Sequence, residues 1–305
     1  MFPQMNRRFE AFVEPAKSQR SGWFVILGLC LIVIFYLEFM YLLLFLFAAV
    51  IGGGDGIAIG FAQVSRMLGA ADTPLALNLA LATFIGMFGA VTLMARVTRE
   101  RSPMSLIGTG PIVRNMFVVI LALGTLISVS TVFAHVNYDL QPNLPFSQWI
   151  RWLPLAIPLL FIQIAAEEMI FRGYFQQELA ARFKSPLVWM FVPSVVFGSL
   201  HWDSETYGSN AWLIVGSTTL FGVFAADLTA RTGNLGAAFG LHFTNNFSAM
   251  FVTSMQGKMS GLSLYTTPFG ANDNDAIRIL MIWDIGLMLT TYLIYLFAIR
   301  FKRVA

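Results

Sequence analysis

Hydrophobic residues in this chain fall into long, nearly unbroken runs separated by short polar breaks. Helices of soluble domains show a single apolar stripe; helices surrounded by lipid or protein are apolar all round. The runs cover residues 23–50, 75–97, 116–136, 152 into a polar stretch at 164–174, 187–201, 211–228, 235–255 and 277–301. A hydrocarbon core takes about 20 helical residues. Backbone groups in lipid must be satisfied within the segment, so these runs are read as helices. The pattern predicts an all-α, polytopic integral membrane protein with about eight transmembrane helices. The first run exceeds one span, so it tilts or protrudes, and it contains Glu38. Residues 52–56 (GGGDG) read as a flexible turn, 137–147 as a structured loop with Pro142 and Pro145, and 266–275 as a polar loop. No soluble domain, repeat or low-complexity segment interrupts the series.

Composition agrees. The 305 residues are 57% hydrophobic and 11% charged, against about 25% charged in a soluble domain, and mean hydropathy is +0.71. The basic residues sit in short clusters between apolar runs, so the net charge of +3 reports orientation in a bilayer and not a nucleic-acid partner. The lone cysteine, Cys30, lies in an apolar run, which excludes a disulfide framework and a cysteine metal site. Some twenty polar residues precede the first run, which is longer than a signal-peptide core, so that run is expected to stay as a transmembrane helix.

The expected layout is a cytoplasmic tail over 1–21 lying on the lipid headgroups, three helices within 22–150, a core of four helices within 151–256, and a polar loop, last helix and basic end within 257–305. Eight helices place both termini on one side. That side then collects fifteen Lys and Arg residues, including Arg20, Lys302 and Arg303, against four on the other (Arg66, Arg151, Lys258, Arg278). The positive-inside bias puts both termini in the cytoplasm.

Three polar pairs break the apolar runs. Glu167 and Glu168 precede Arg172 in IAAEEMIFRGY; Phe197 precedes His201; His242 precedes Asn246. Each pair is spaced i,i+4, so its members share a helix face. Glu168 can therefore pair with Arg172, while Glu167 points about 100° away. A turn at Lys184-Ser185-Pro186 would level Glu168 with His201, and Arg172 with Phe197, about 24 Å from the turn at 1.5 Å per residue. His242 comes out nearer its own turn, about 12–15 Å. Ionisable groups at membrane depth cost a few kcal/mol and usually face the bundle interior. A carboxylate there can take a proton from water. Two histidines and an amide can bind a metal or hold an oxyanion. Plainer readings stand beside these: a buried salt bridge, an interfacial histidine, and interhelical hydrogen bonding by His242 and Asn246. Asp227, Asp284 and Glu38 are read as structural or interfacial, and Asp203 and Glu205 as shaping the mouth of the site.

On these residues the chain resembles the CPBP family of intramembrane endopeptidases, which includes the CAAX prenyl proteases and bacteriocin-processing and self-immunity proteins. The family pattern is E-E-x-x-x-R, then F-x-x-x-H, then H-x-x-x-N; Glu167, Glu168, Arg172, Phe197, His201, His242 and Asn246 match it in order. The segment RTGNLG from Arg231 also resembles the lead-in to the third motif. The resemblance covers about residues 160–250. It implies cleavage of a membrane protein or peptide substrate within the bilayer. Glu167 would activate water with His201 as its partner, Glu168 and Arg172 would support it, and His242 and Asn246 would stabilise the oxyanion. Family members are described both as metalloproteases and as glutamate-dependent enzymes. The chain lacks H-E-x-x-H, so no obligatory cofactor is expected. Zinc on Glu167, His201 and His242 is the alternative. The resemblance also suggests a bacterial inner (plasma) membrane. Two rival readings are a transporter or channel with a polar pathway and an inactive immunity or scaffold protein of the same fold. Against the transporter, no inverted repeat relates the two halves.

Overall fold

The computed structural model describes residues 7–17, 22–99, 101–137, 139–271 and 273–301. Arg20, Lys302 and Arg303 of the charge count, and parts of the expected tail and basic end, lie outside the described residues. The helices are α1 (Arg7–Val13), α2 (Trp23–Gly52), α3 (Ile57–Ala70), α4 (Pro74–Arg99), α5 (Ile112–Asn137) and α6 (Phe146–Glu168). Then come α7 (Gln177–Ala180), α8 (Val192–Ser199), α9 (Ser204–Tyr207), α10 (Ala211–Thr232), α11 (Gly236–Phe247) and α12 (Asn274–Phe301). A π-helical stretch, Met169–Gln176, fuses α6 to α7, and shorter ones precede α8 and follow α11. The fold is all-α and polytopic, that of an integral membrane protein.

The exact count of eight spans is not confirmed. Six helical segments among the described residues are long and apolar enough to cross a membrane: those containing α2, α4, α5, α6–α7, α9–α10 and α12. The fifth and seventh runs fold as shorter helices. The fifth stops at Ser199, where the chain turns through Trp202 and Asp203 caps α9. The seventh ends at Val252, where the backbone becomes extended.

Two further differences come from packing. Helix α1, within the expected tail, packs on the bundle: it buries Phe9, Phe12 and Val13 in the main core, with the Phe9 ring 4.8 Å from that of Trp189. Helix α3 lies outside the eight apolar runs. It folds back on the end of α2, where Val64 joins Leu44, Ala48 and Leu79 in a small separate cluster.

A three-stranded sheet caps one end of the bundle. Strands β1 (Gln141–Pro142), β2 (Thr253–Gln256) and β3 (Tyr265–Gly270) lie in the order β1-β3-β2, the first pairing antiparallel and the second parallel. The Asn143 side-chain amide donates to the carbonyls of Ser260 and Ser263 at 2.7 and 2.9 Å. The proline-rich loop is thus ordered, as its composition suggests.

Lipid is as apolar as leucine, so helices associate in it by close packing and hydrogen bonds, and small residues mark the contacts. Helix α11 shows this best. Gly236, Gly240 and Thr244 form one face along α5. A Cβ on Gly240 would stand 2.5 Å from the Met116 carbonyl oxygen. Before α11, the buried Asn234 side chain donates to the Thr109 carbonyl and accepts from Gly236 N–H and the Asn115 amide. These contacts fix where α11 starts, and hence how deep His242 lies.

Candidate active site

The site is assembled where α6 passes into its π-helical stretch. A π-helix takes one residue more per turn than an α-helix, and such stretches often mark functional positions. Met169–Gln176 keeps Arg172 one turn beyond Glu168 while widening the helix. It is accommodated by Gly173, where a Cβ would stand 2.6 Å from the carbonyl oxygen of Leu106. Arg172 Nη1 donates to Glu168 Oε1 at 3.0 Å. Both are sealed from outside, with residue exposures of 1% and 0%.

The guanidinium also stacks 4.7 Å over the Phe197 ring. This levels Arg172 with Phe197, as the turn at 184–186 implies, and gives the phenylalanine of the second motif a physical task. Phe171, Phe197 and Phe221 all lie within 5.9 Å of that guanidinium, which shields the ion pair from water.

His242 reaches the same carboxylates. Its Nδ1 lies 2.8 Å from Glu168 Oε1 and its Nε2 lies 3.5 Å from Glu167 Oε2. Glu168 is held by Arg172 as an acceptor, so Nδ1 carries the proton and donates. That orients the ring and turns Nε2 toward Glu167. Glu167 is the more open of the two carboxylates, its side chain 14% exposed against 0% for Glu168. Four of the six residues singled out in the sequence thus form one chain: Arg172, Glu168, His242, Glu167.

The other two stand apart. His201 lies past the end of α8, in a turn closed by its own N–H to the Gly198 carbonyl. Its Nδ1 lies 2.9 Å from the Phe197 carbonyl, which can only accept, so Nδ1 donates. Among the described residues His201 makes no ion pair with Glu167, whose histidine neighbour is His242. The reason is local: α8 stops two residues short of His201, whereas close packing on α5 sets α11 deep enough to bring His242 in. Asn246 donates its amide to Gln163 Oε1 at 3.1 Å.

His201, His242 and Asn246 meet across a cavity of about 430 Å³, lined also by Phe197, Phe221 and Asp284. At its mouth Lys258 Nζ binds Asp203 Oδ2 and Thr206 Oγ1, each at 2.5 Å. These hydrogen bonds, the lysine's first, pull the Asp203 carboxyl down to about 2. Lys258 lines the cavity and Asp203 does not, so Asp203 reaches the site only through that lysine.

Residues 149–248 match the family model of the type II CAAX prenyl endopeptidase, Rce1-like. The resemblance read from the three motifs holds over this Rce1-like segment, which contains all six candidate residues. Uncharacterized protein YyaK of Bacillus subtilis (strain 168) is 32% identical over 137 residues, 44% of this chain and 45% of that protein. The match therefore spans less than half of the relative. No solved structure matches the chain.

Within the Rce1-like segment, the donors named for zinc are not gathered as a set. Glu167 and His242 are neighbours, but no group of three His, Cys, Asp or Glu side chains able to hold a metal ion occurs among the described residues. Zinc sites use at least three protein donors, so the arrangement does not fit one. Sequence reasoning also missed two neighbours of the site. Gln163 lies one turn before Glu167, a polar residue whose spacing was a usable signal. Tyr36 of α2, within electrostatic reach of Glu167, had no signal, being one aromatic residue in a long apolar run.

Proposed function

We propose that the protein is an intramembrane endopeptidase in which Glu167 activates water for attack on a peptide carbonyl. The observation that supports this best is the buried chain Arg172–Glu168–His242–Glu167, whose His242 lines a cavity together with His201 and Asn246. Glu167 takes a proton from water as the oxygen attacks the carbonyl carbon. His242, oriented by Glu168, stands against Glu167 and stabilises it through the proton transfer. The Asn246 amide and, when protonated, His201 Nε2 are the donors placed in the cavity to meet the oxyanion. As the tetrahedral intermediate collapses, the C–N bond breaks and the proton on Glu167 passes to the leaving amine. No step is assigned to a metal. The substrate is a membrane protein or peptide, and the charge bias places both termini in the cytoplasm, in keeping with a bacterial plasma membrane.

The test is cleavage of a membrane-peptide library by the purified protein in lipid, with and without chelator. Glu167→Gln is isosteric, and should lower the rate by about 10²–10⁴-fold while the thermal unfolding midpoint stays near that of wild type. His242→Gln should follow it. Chelator should leave the rate unchanged. Cleavage that survives Glu167→Gln overturns the assignment of the base, and cleavage abolished by chelator overturns the metal-free mechanism.

A further inference from the structure

A second cavity, of about 450 Å³, lies at the other end of the bundle, on the side that the charge bias assigns to the cytoplasm. It is built by four separate parts of the chain: Arg7 and Arg8 of α1, the turn Thr109-Gly110-Pro111 with Arg114 and Asn115 of α5, the Thr232-Gly233 turn, and Tyr295 of α12. Three arginines line it, and no aspartate or glutamate does. Arg7 and Arg114 have no ion-pair partner among the described residues. Tyr295 is 4% exposed and lies in the field of Arg8 and Arg114, yet its hydroxyl makes no hydrogen bond among the described residues. The start of α5, 26 residues long, adds the positive end of its dipole to the same space.

We propose that this cavity binds a phosphate group, carried by a phospholipid headgroup or free in solution. Several guanidinium forks around one hollow suit a ligand with three or more acceptor oxygens. A lone carboxylate would leave most of those donors and most of the volume unused. The surroundings favour the lipid. Val113 and Phe117, on either side of Arg114, are 72% and 60% exposed, so the cavity borders the face of α5 that meets acyl chains. Burial of Phe9, Phe12 and Val13 is what aims Arg7 and Arg8 at this point. A bound phosphate would tie α1, α5 and α12 to the Thr232-Gly233 turn from which α11 departs.

Native mass spectrometry and thermal unfolding of the purified full chain in neutral detergent test this. The probes are phosphatidylglycerol, phosphatidylcholine and inorganic phosphate; the proteins are wild type, Arg114→Gln, Arg7→Gln/Arg8→Gln and Tyr295→Phe. Wild type should retain phosphatidylglycerol over phosphatidylcholine. Arg114→Gln should weaken that retention about tenfold, the loss of one charged hydrogen bond. Tyr295→Phe deletes one atom and should weaken it about fivefold; it decides the matter if the arginine variants do not fold. Preference for phosphatidylglycerol with no effect of phosphate assigns the lipid source. Stabilisation by phosphate alone, lost in the variants, assigns the free ion. Lipid retention that is the same in wild type and in the folded variants, with no phosphate effect, overturns the proposal, and so does an unchanged preference in folded Tyr295→Phe.

Discussion

Two helices of this protein carry a glutamate deep within a long apolar run, and they treat it in opposite ways. In the most apolar window of the α6–α7 segment 56% of residues are buried by other parts of the chain, against 11% for α2. Glu168 on the first is fully buried and bound by Arg172 and His242. Glu38 on the second is exposed on the helix surface, with no ion pair among the described residues. Hydropathy does not separate them, since both runs reach spanning length. What makes one carboxylate part of a site is that other helices supply its partners.

Breaking those partnerships has the largest expected effect. Arg172→Ala strips a buried carboxylate of its cation and should cost about 3–5 kcal/mol of stability, read as a large fall in the unfolding midpoint in detergent. The double variant Arg172→Leu, Glu168→Leu sharpens the point, since replacing both members of a buried pair by apolar groups is often close to neutral. If the double variant is as unstable as the single one, the loss comes from shape and not from the stranded charge.

Glycines sort the same way. At Gly173 a Cβ would meet the Leu106 carbonyl at 2.6 Å, while at Gly89 in α4 nothing lies within 4 Å. Gly173→Ala should destabilise by about 1–3 kcal/mol through overpacking. Gly89→Ala should be neutral or stabilise by up to about 1 kcal/mol, from helix propensity. Equal responses would mean that the π-helical stretch is not held against the Leu106 turn.

The mouth of the cavity gives a smaller, pH-dependent effect. Asp203 is held at about 2 by its hydrogen bonds from Lys258 and Thr206, below the ordinary value of about 3.9. A group with a depressed folded pKa stabilises above its unfolded pKa and loses that contribution as pH falls through the folded value. The link should be complete above about pH 4 and fade as pH falls towards about 2. Both side chains are about one-third exposed, so it is worth less than about 1 kcal/mol. The midpoint gap between wild type and Asp203→Asn should narrow as pH falls from 7 towards about 2; a constant gap would falsify the link.

The contrast between α6 and α2 also explains what the sequence could show. Helical class and the Glu168–Arg172 pair were legible because both follow from spacing along one helix. The level of Arg172 with Phe197 was legible because a proline turn makes the hairpin arithmetic simple. The partner of Glu167 was not: choosing His242 over His201 depends on where α8 stops and how closely glycines let α11 approach α5. The exact span count was not legible for the same reason, since runs five and seven have the composition of spans but fold as helices shorter than 18 residues or end in extended backbone. The π-helical stretch, the packed α1 and the capping sheet arise from tertiary contacts that no local pattern carries.

Glu38 offers the weakest perturbation and the cleanest test of the comparison. An unpaired carboxylate on a lipid-facing surface gains nothing from the fold, so neutralising it should not harm the fold. Glu38→Gln should leave the midpoint in detergent within about 0.5 kcal/mol of wild type, as for surface substitutions elsewhere. In a bilayer, where a charge at the helix centre costs about 2.5–3.5 kcal/mol, the same change should be neutral or stabilising. Glu168→Gln should be destabilising in both, because Arg172 would lose its counter-charge inside the bundle. A loss at Glu38 as large as that at Glu168 would show that α2, too, presents its carboxylate to a partner group. The two halves would then differ in which helix supplies that partner, and not in whether one exists.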